Sequence, residues 1–299
     1  MSQLTSLWHS LYDNQNFGTA VVGVAASFAG AWGAQIAIFR RDQRREIIAT
    51  LRSVNEAQAL CFAISNSFMS LKSQHLVDLL ARFRECEKNF QVFFAKRQAA
   101  EANEKPEQFL FQADLQTLPF PTVPIDRLET VTFEKLALNS KTLAAMIELN
   151  KSIDLVKTST SVRNEQIAKW YNGPQMSHDE VLIRYLGVKV EGGADETYKQ
   201  TLFAIETYCD DCIWFSKHLS EGLYEYGDRV RRKYRHHIFW RLPQVTKADY
   251  SSAKARGLIP DDKQYEKWLN GFQAHPTKRQ KFKEFFSRKK NVDHSSRKS

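Results

Sequence analysis

Two cysteines three residues apart, Cys209-Asp210-Asp211-Cys212, have the spacing of a redox dithiol or of half a zinc site. A zinc site needs two further ligands, and the chain contains no second CxxC and no HxxxH. Both cysteines also fall on an apolar seam between Ile205 and Ser216, so the expectation is buried structural thiols with no metal and no cofactor. His236 and His237 follow a run of basic residues; on a helix their side chains diverge by about 100° and fit one metal ion poorly. They read as part of a basic surface. His178-Asp179-Glu180 resembles an acid–base cluster, but Ser177 and Glu180 stand at capping-box spacing, which gives it a structural role. Arg163-Asn164-Glu165 lies inside a helical stretch and is expected on a solvated face or in an interhelical salt bridge rather than in a buried polar network. No Walker A loop, GxGxxG, GxSxG or HExxH occurs, so the common nucleotide-binding and hydrolase classes lose their usual signatures.

The basic residues carry more information. Asp228–Arg241 interleaves Arg229, Arg231, Arg232, Lys233, Arg235 and Arg241 with Tyr234, Phe239 and Trp240. Thr277–Lys290 repeats the pattern, with Lys278, Arg279, Lys281, Lys283, Arg288, Lys289 and Lys290 around Phe282, Phe285 and Phe286. Such segments suit an anionic lipid surface, with the aromatic rings at the interface. Nucleic acid is the less favoured partner, using the same cations for phosphates and the rings for stacking. A merely solvated tail is the third reading. The formal charge of +9 is concentrated in these parts: Glu46–Tyr226 sums to about −6, Gly227–Arg241 to +5 and His275–Ser299 to +7.

The elements that must hold these groups begin with an uncharged run from Asn14 to Phe39, closed by Arg40, Arg41, Arg44 and Arg45. Phe17–Phe39 would reach roughly 35 Å as a helix, enough for a hydrocarbon core of roughly 30 Å. Positive charge on one flank alone orients the chain with its N-terminus outside and its body in the cytoplasm. Trp8 and Tyr12 suit the outer interface. Small residues recur every fourth position on three tracks: Thr19, Gly23 and Ser27; Ala26, Gly30 and Ala34; Ala29, Gly33 and Ala37. Close helix approach along such tracks predicts a homo-oligomer or a membrane protein partner.

Helical spacing then runs from Ile47 to Phe93 with no proline or glycine before Pro106, as one helix or as two that break near Ser70–His75. Prolines 119, 121 and 124 make the next stretch a connector. One helix is expected from Asp126 to Asn172, a short one from His178 to Leu186, and a near-heptad helix from Asp195 to Trp240. A last short helix covers Asp261–Asn270. The expected fold is all-α: a single transmembrane helix, an elongated and mostly antiparallel bundle of long helices, and a basic C-terminal tail. The corresponding divisions are a head (1–16), the membrane helix (17–39), a cytoplasmic bundle (40–242, connector 105–126) and a basic region (243–299). With a hairpin in the first segment, four helices return Arg229–Arg241 to the bilayer; with one continuous helix, three point it away. Four free cysteines fit a reducing compartment.

The leading functional expectation is a non-enzymatic, single-pass protein of a bacterial inner membrane, acting as scaffold, sensor or effector subunit. A membrane-disrupting effector and an enzyme with an unrecognised helical site are the alternatives.

Overall fold

The computed structural model describes residues 15–99, 108–188, 195–236 and 241–272. Eight α-helices occur among them: α1 (Gln15–Leu71), α2 (Val77–Ala99), α3 (Ile125–Glu134), α4 (Ser140–Asn172), α5 (His178–Leu186), α6 (Thr197–Lys233), α7 (Ser251–Ala255) and α8 (Glu266–Gly271), the last preceded by a 3-10 turn, Asp262–Tyr265. No strand occurs among the described residues, and the fold is all-α.

α1 and α2 form one continuous rod, joined by a single π-helical turn, Lys72–Leu76. The turn has a cause in the apolar pattern. Leu71 and Leu76 are both buried but lie five residues apart, too far for one α-helical turn of 3.6 residues. A π turn closes its bonds five residues apart, as Val77 N–H does onto the Lys72 carbonyl, and so absorbs the extra residue. Of the two readings of this segment, one helix or a hairpin near Ser70–His75, the structure has the first.

α6 packs antiparallel to this rod. Lys72 pairs with Asp210 at 2.5 Å, Gln58 meets Ser220, and Gly227 lies against Val54. α4 is antiparallel to α6, with Thr142 beside Gly222 and Arg163 beside Tyr198. Residues 108–124 are not idle connection. They descend in extended form along the helices: Phe109 packs on Phe90 and Phe93, Gln116 meets Arg163, Phe120 meets Phe68, and Arg127 at the start of α3 pairs with Glu56. The extended strap therefore makes the return journey that a second helix of a hairpin would have made. Counting helices alone gave the wrong direction for a continuous α1–α2: the Arg229–Arg235 end of α6 returns towards the base of α1.

Three further boundaries differ from the sequence expectation. The 126–172 helix is two helices, because Asn139 caps α4 by accepting from Thr142 N–H and the chain leaves helical geometry after Glu134. α3 starts after Pro124 with no side-chain cap. α6 ends at Lys233, short of Trp240, and residues 237–240 lie outside the described residues. The capping box of Ser177 and Glu180 is present at the start of α5. After α6 the chain climbs back along the body: Asn55 bonds Gln244 and Thr246, Tyr250 packs on Phe62, and the Leu258 carbonyl reaches Lys72. Residues 241–272 are thus laid onto the helices rather than forming a region apart.

The core runs from Val54 to Phe83 on the rod and takes in the inner faces of α3 to α6. Gly227 lets α6 close on it. A Cβ there would stand 2.9 Å from Val54 Cγ1 and 3.0 Å from Val245 Cγ2. Gly227→Val is expected to destabilise the fold by about 2 kcal/mol through overpacking, lowering Tm by about 5 °C in a detergent-solubilised melt. A Tm at or above the parent value would contradict this close approach.

Candidate functional site

The apolar half of α1 stands clear of everything else. Val21 to Asp42 are exposed throughout, including Phe28, Trp32 and Phe39, each about two-thirds accessible or more. A Cβ placed on Gly23, Gly30 or Gly33 would meet nothing within 4 Å, and Ser27 turns its hydroxyl onto the Gly23 carbonyl. Ala34 and Ala37 are equally exposed, so the Gly30 and Gly33 tracks are open along their length. This is one helix near the N-terminus long and apolar enough to cross a membrane, with a mean hydropathy of 1.6 in its most apolar window. Arg40, Arg41, Arg44 and Arg45 follow it, all exposed, and the first buried side chain is Ile47. An apolar surface of this extent is far larger than an isolated soluble chain normally shows to water.

The basic end of α6 lies beside the base of that segment. Taking Gly227 level with Val54, the equal rise of two antiparallel helices brings Arg235 level with about residue 46. Arg229, Arg231, Arg232, Lys233 and Arg235 are all exposed. Arg232 pairs with Asp228 at 2.5 Å and Lys233 sits over the Tyr234 ring; no acidic side chain among the described residues pairs with Arg229, Arg231 or Arg235. Asp228, Arg231, Arg232, Arg235 and Leu242 line a cavity of about 440 Å³. His236 is exposed. His237 and the second basic run, Lys278, Arg279, Lys281, Lys283, Arg288, Lys289 and Lys290, lie outside the described residues.

Arg163 overturns its expectation of a solvated face or salt bridge. It is fully buried and pairs with no carboxylate among the described residues. Its guanidinium donates to the Gln116 carbonyl at 2.8 Å and to the Tyr198 hydroxyl at 2.9 Å, and it lies 5.1 Å from the Tyr198 ring centre. Tyr198 in turn donates to the Asp114 carbonyl at 2.9 Å, and Asn164 takes both backbone groups of Leu118, at 3.0 and 2.8 Å. Burial raises the Tyr198 hydroxyl pKa, with Arg163 opposing, so the phenol stays a donor. The cluster spends its polar atoms on the strap's backbone. The signal was in the sequence: Arg163 sits between Val156, Thr160 and Ile167 at three- and four-residue steps, on the apolar stripe. Next to it, Arg82, Glu85, Cys86, Asn89, Asp114 and Tyr171 line an open cleft of about 680 Å³. Burial and the neighbouring Glu87 push the Cys86 thiol up, away from a reactive thiolate.

Cys209 and Cys212 are buried against the rod, where burial pushes Cys209 up to about 12 and Cys212 well up. Cys209 donates weakly to the Phe68 carbonyl. Both are neutral packing groups. His178 stands half-exposed at the first turn of α5, edge-on to Phe111. A further cluster had no sequence signal beyond its aromatic content. Trp214 stacks between Tyr265 at 4.0 Å and His218 at 4.4 Å, with Trp268 edge-on, and its indole donates to Asp262 at 2.8 Å. Tyr265 donates to Asp211 at 2.7 Å. The cluster clasps the C-terminal climb onto α6.

No protein-family model, curated protein or solved structure matches the chain.

Replacing Arg163 by Met leaves the Gln116 carbonyl without its donor and the Tyr198 hydroxyl with only its bond to the Asp114 carbonyl, and is expected to cost about 2 kcal/mol. Limited proteolysis should then cut within 108–124 sooner than in the parent, and Lys should not restore protection because it lacks the planar fork. Unchanged cleavage in both variants would show that the strap is held elsewhere. Burial lowers the His218 pKa below 6.5, opposed by Glu221 and Asp262 and helped by Lys141 and Lys217. The unfolded chain then takes up the proton first, so this group's contribution is complete above about pH 6.5 and lost as pH falls through it. Asp210 and Asp211, raised by burial, act in the opposite sense at lower pH. The Tm difference between His218→Phe and the parent should therefore shift in the variant's favour from pH 7.5 to pH 5.5; a constant difference would remove His218 from the acid response.

Proposed function

We propose that the chain is a single-pass membrane protein whose apolar α1 segment spans the bilayer and whose elongated helical bundle serves as a cytoplasmic scaffold, sensor or effector subunit. The observation that carries this reading is the bare, uncharged helix of residues 21–39, continuous with the core rod and closed by four arginines. The arginines favour a cytoplasmic body in a bacterial inner membrane. The open small-residue faces support assembly with a second copy of the chain or with another membrane helix. A non-enzymatic role agrees with the uses of the polar groups. The buried Arg163–Tyr198 pair is aimed at backbone, and the thiols are held neutral.

The expected behaviour is retention in membranes after carbonate washing, lost when residues 17–39 are removed. Recovery of the full chain in the soluble fraction would end the reading. For assembly, cross-linking of the full chain in membranes should yield a dimer or higher species that falls several-fold on Gly30→Leu. An anchor that remains monomeric in the parent would count against it.

A further inference from the structure

Resting on the membrane reading above, we infer that the basic end of α6 and the arginine turn of α1 form a two-helix clamp for anionic phospholipid headgroups, so that the body stands on the bilayer surface. The site joins parts distant in sequence. From the pairs Val54–Gly227 and Gln58–Ser220, α6 lies on a known side of α1. At about 100° per residue, Arg40 and Arg44 fall within about 80° of that side, and Arg41 and Arg45 fall on the other. Arg235 comes level with about residue 46, some two residues of rise above Arg44, and Arg231 about one turn higher. An arginine side chain spans such a gap to a phosphate at the interface.

Three observations favour lipid over a soluble anion. Arg235 stands about seven residues of rise, roughly 10 Å, beyond Phe39, where the exposed apolar helix ends, which makes it the α6 cation nearest the level that headgroups would occupy. The cavity lined by Asp228, Arg231, Arg232, Arg235 and Leu242, about 440 Å³, lies on the α6 side of the clamp, is of headgroup size and has one apolar side chain in its wall. Asp228 neutralises Arg232 alone, so Arg231 and Arg235 keep their charge for an outside ligand. The C-terminal helix dipole already favours cations at this end, but it requires only the last turn of α6 and not the alignment with Arg40 and Arg44.

The test uses the full chain in nanodiscs of phosphatidylcholine alone or with one-third phosphatidylglycerol, read by hydrogen exchange at residues 229–236. Anionic discs are expected to slow exchange there about fivefold, the factor one cation gains near an anionic surface. The slowing should vanish in 0.5 M salt and in R231Q/R235Q, and persist in K96Q/R97Q at the distal end. Equal exchange in both disc types would overturn the clamp. So would equal slowing by inorganic phosphate over zwitterionic discs, which assigns the site to a soluble phosphate. Slowing by a short single-stranded oligonucleotide, with none from anionic discs, would assign it to nucleic acid. A chain that does not enter discs at all fails the membrane reading instead, and the clamp with it.

Discussion

A buried guanidinium that pairs with no carboxylate among the described residues, Arg163, ties the extended strap 108–124 to the helices, and the direction of every later element depends on that strap. A buried charge is costly unless its donors are satisfied. Here the Gln116 carbonyl and the Tyr198 hydroxyl take the two terminal nitrogens, the Tyr198 ring lies against the guanidinium, and Nε is left without a partner among the described residues; Asn164 holds Leu118 as a neighbouring strand would. The strap has no helix of its own to satisfy its backbone, so side chains supply the partners. Asn55 does the same for Gln244 and Thr246 at the proximal end. Two asparagines and one arginine thus let extended chain run along apolar helix faces.

With the strap in place the alternation becomes rod out, strap back, α4 out, α6 back. This is why a continuous α1–α2 is compatible with a basic α6 terminus near the base of the apolar segment. The coupling is physical: were Arg163 unable to hold Gln116, the strap would lose its middle anchor, and α3 and α4 would lose the connection that sets their direction. The rod also joins the exposed apolar segment to the body. Its one irregularity, the π turn, is stitched where Lys72 bonds both Asp210 and the Leu258 carbonyl.

Much of this was legible from residue types. The apolar steps of Ile47 to Phe83 and Tyr198 to Leu223 match buried faces, and the box at Ser177 and Glu180 is where its spacing puts it. Two kinds of information were not legible. Apolar periodicity is silent on extended chain that is held by backbone bonding, so Phe109 to Pro124 read as mere connection. And a charged residue on an apolar stripe carries two meanings, since Arg163 fits a buried bond network as well as a salt bridge. Its position between Thr160 and Ile167 favoured the first, but the partners came from residues 35 and 47 positions away. At the basic end, the sequence showed which side chains are cationic; their alignment with Arg40 and Arg44 needed the register of α6.

That same register constrains how anchors can assemble. Because α1 is unbroken from the apolar segment into the core, the azimuth of each small-residue track carries through to the body. Measured against the α6 side of Val54 and Gln58, the Gly33 track lies about 20–60° away, the Gly30 track about 80–120°, and the Gly23 track about 100–140°. A neighbouring helix packed on the Gly33 track would leave the membrane where α6 and its arginines already stand. It would have to cross steeply to escape them, and it would occupy the clamp that headgroups are proposed to fill. Packing on the Gly30 or Gly23 track leaves α6 clear and both surfaces usable at once. Assembly through Gly30 and Gly23, with Gly33 turned beneath its own body, is the arrangement in which an oligomeric anchor and a lipid-bound α6 are mutually compatible.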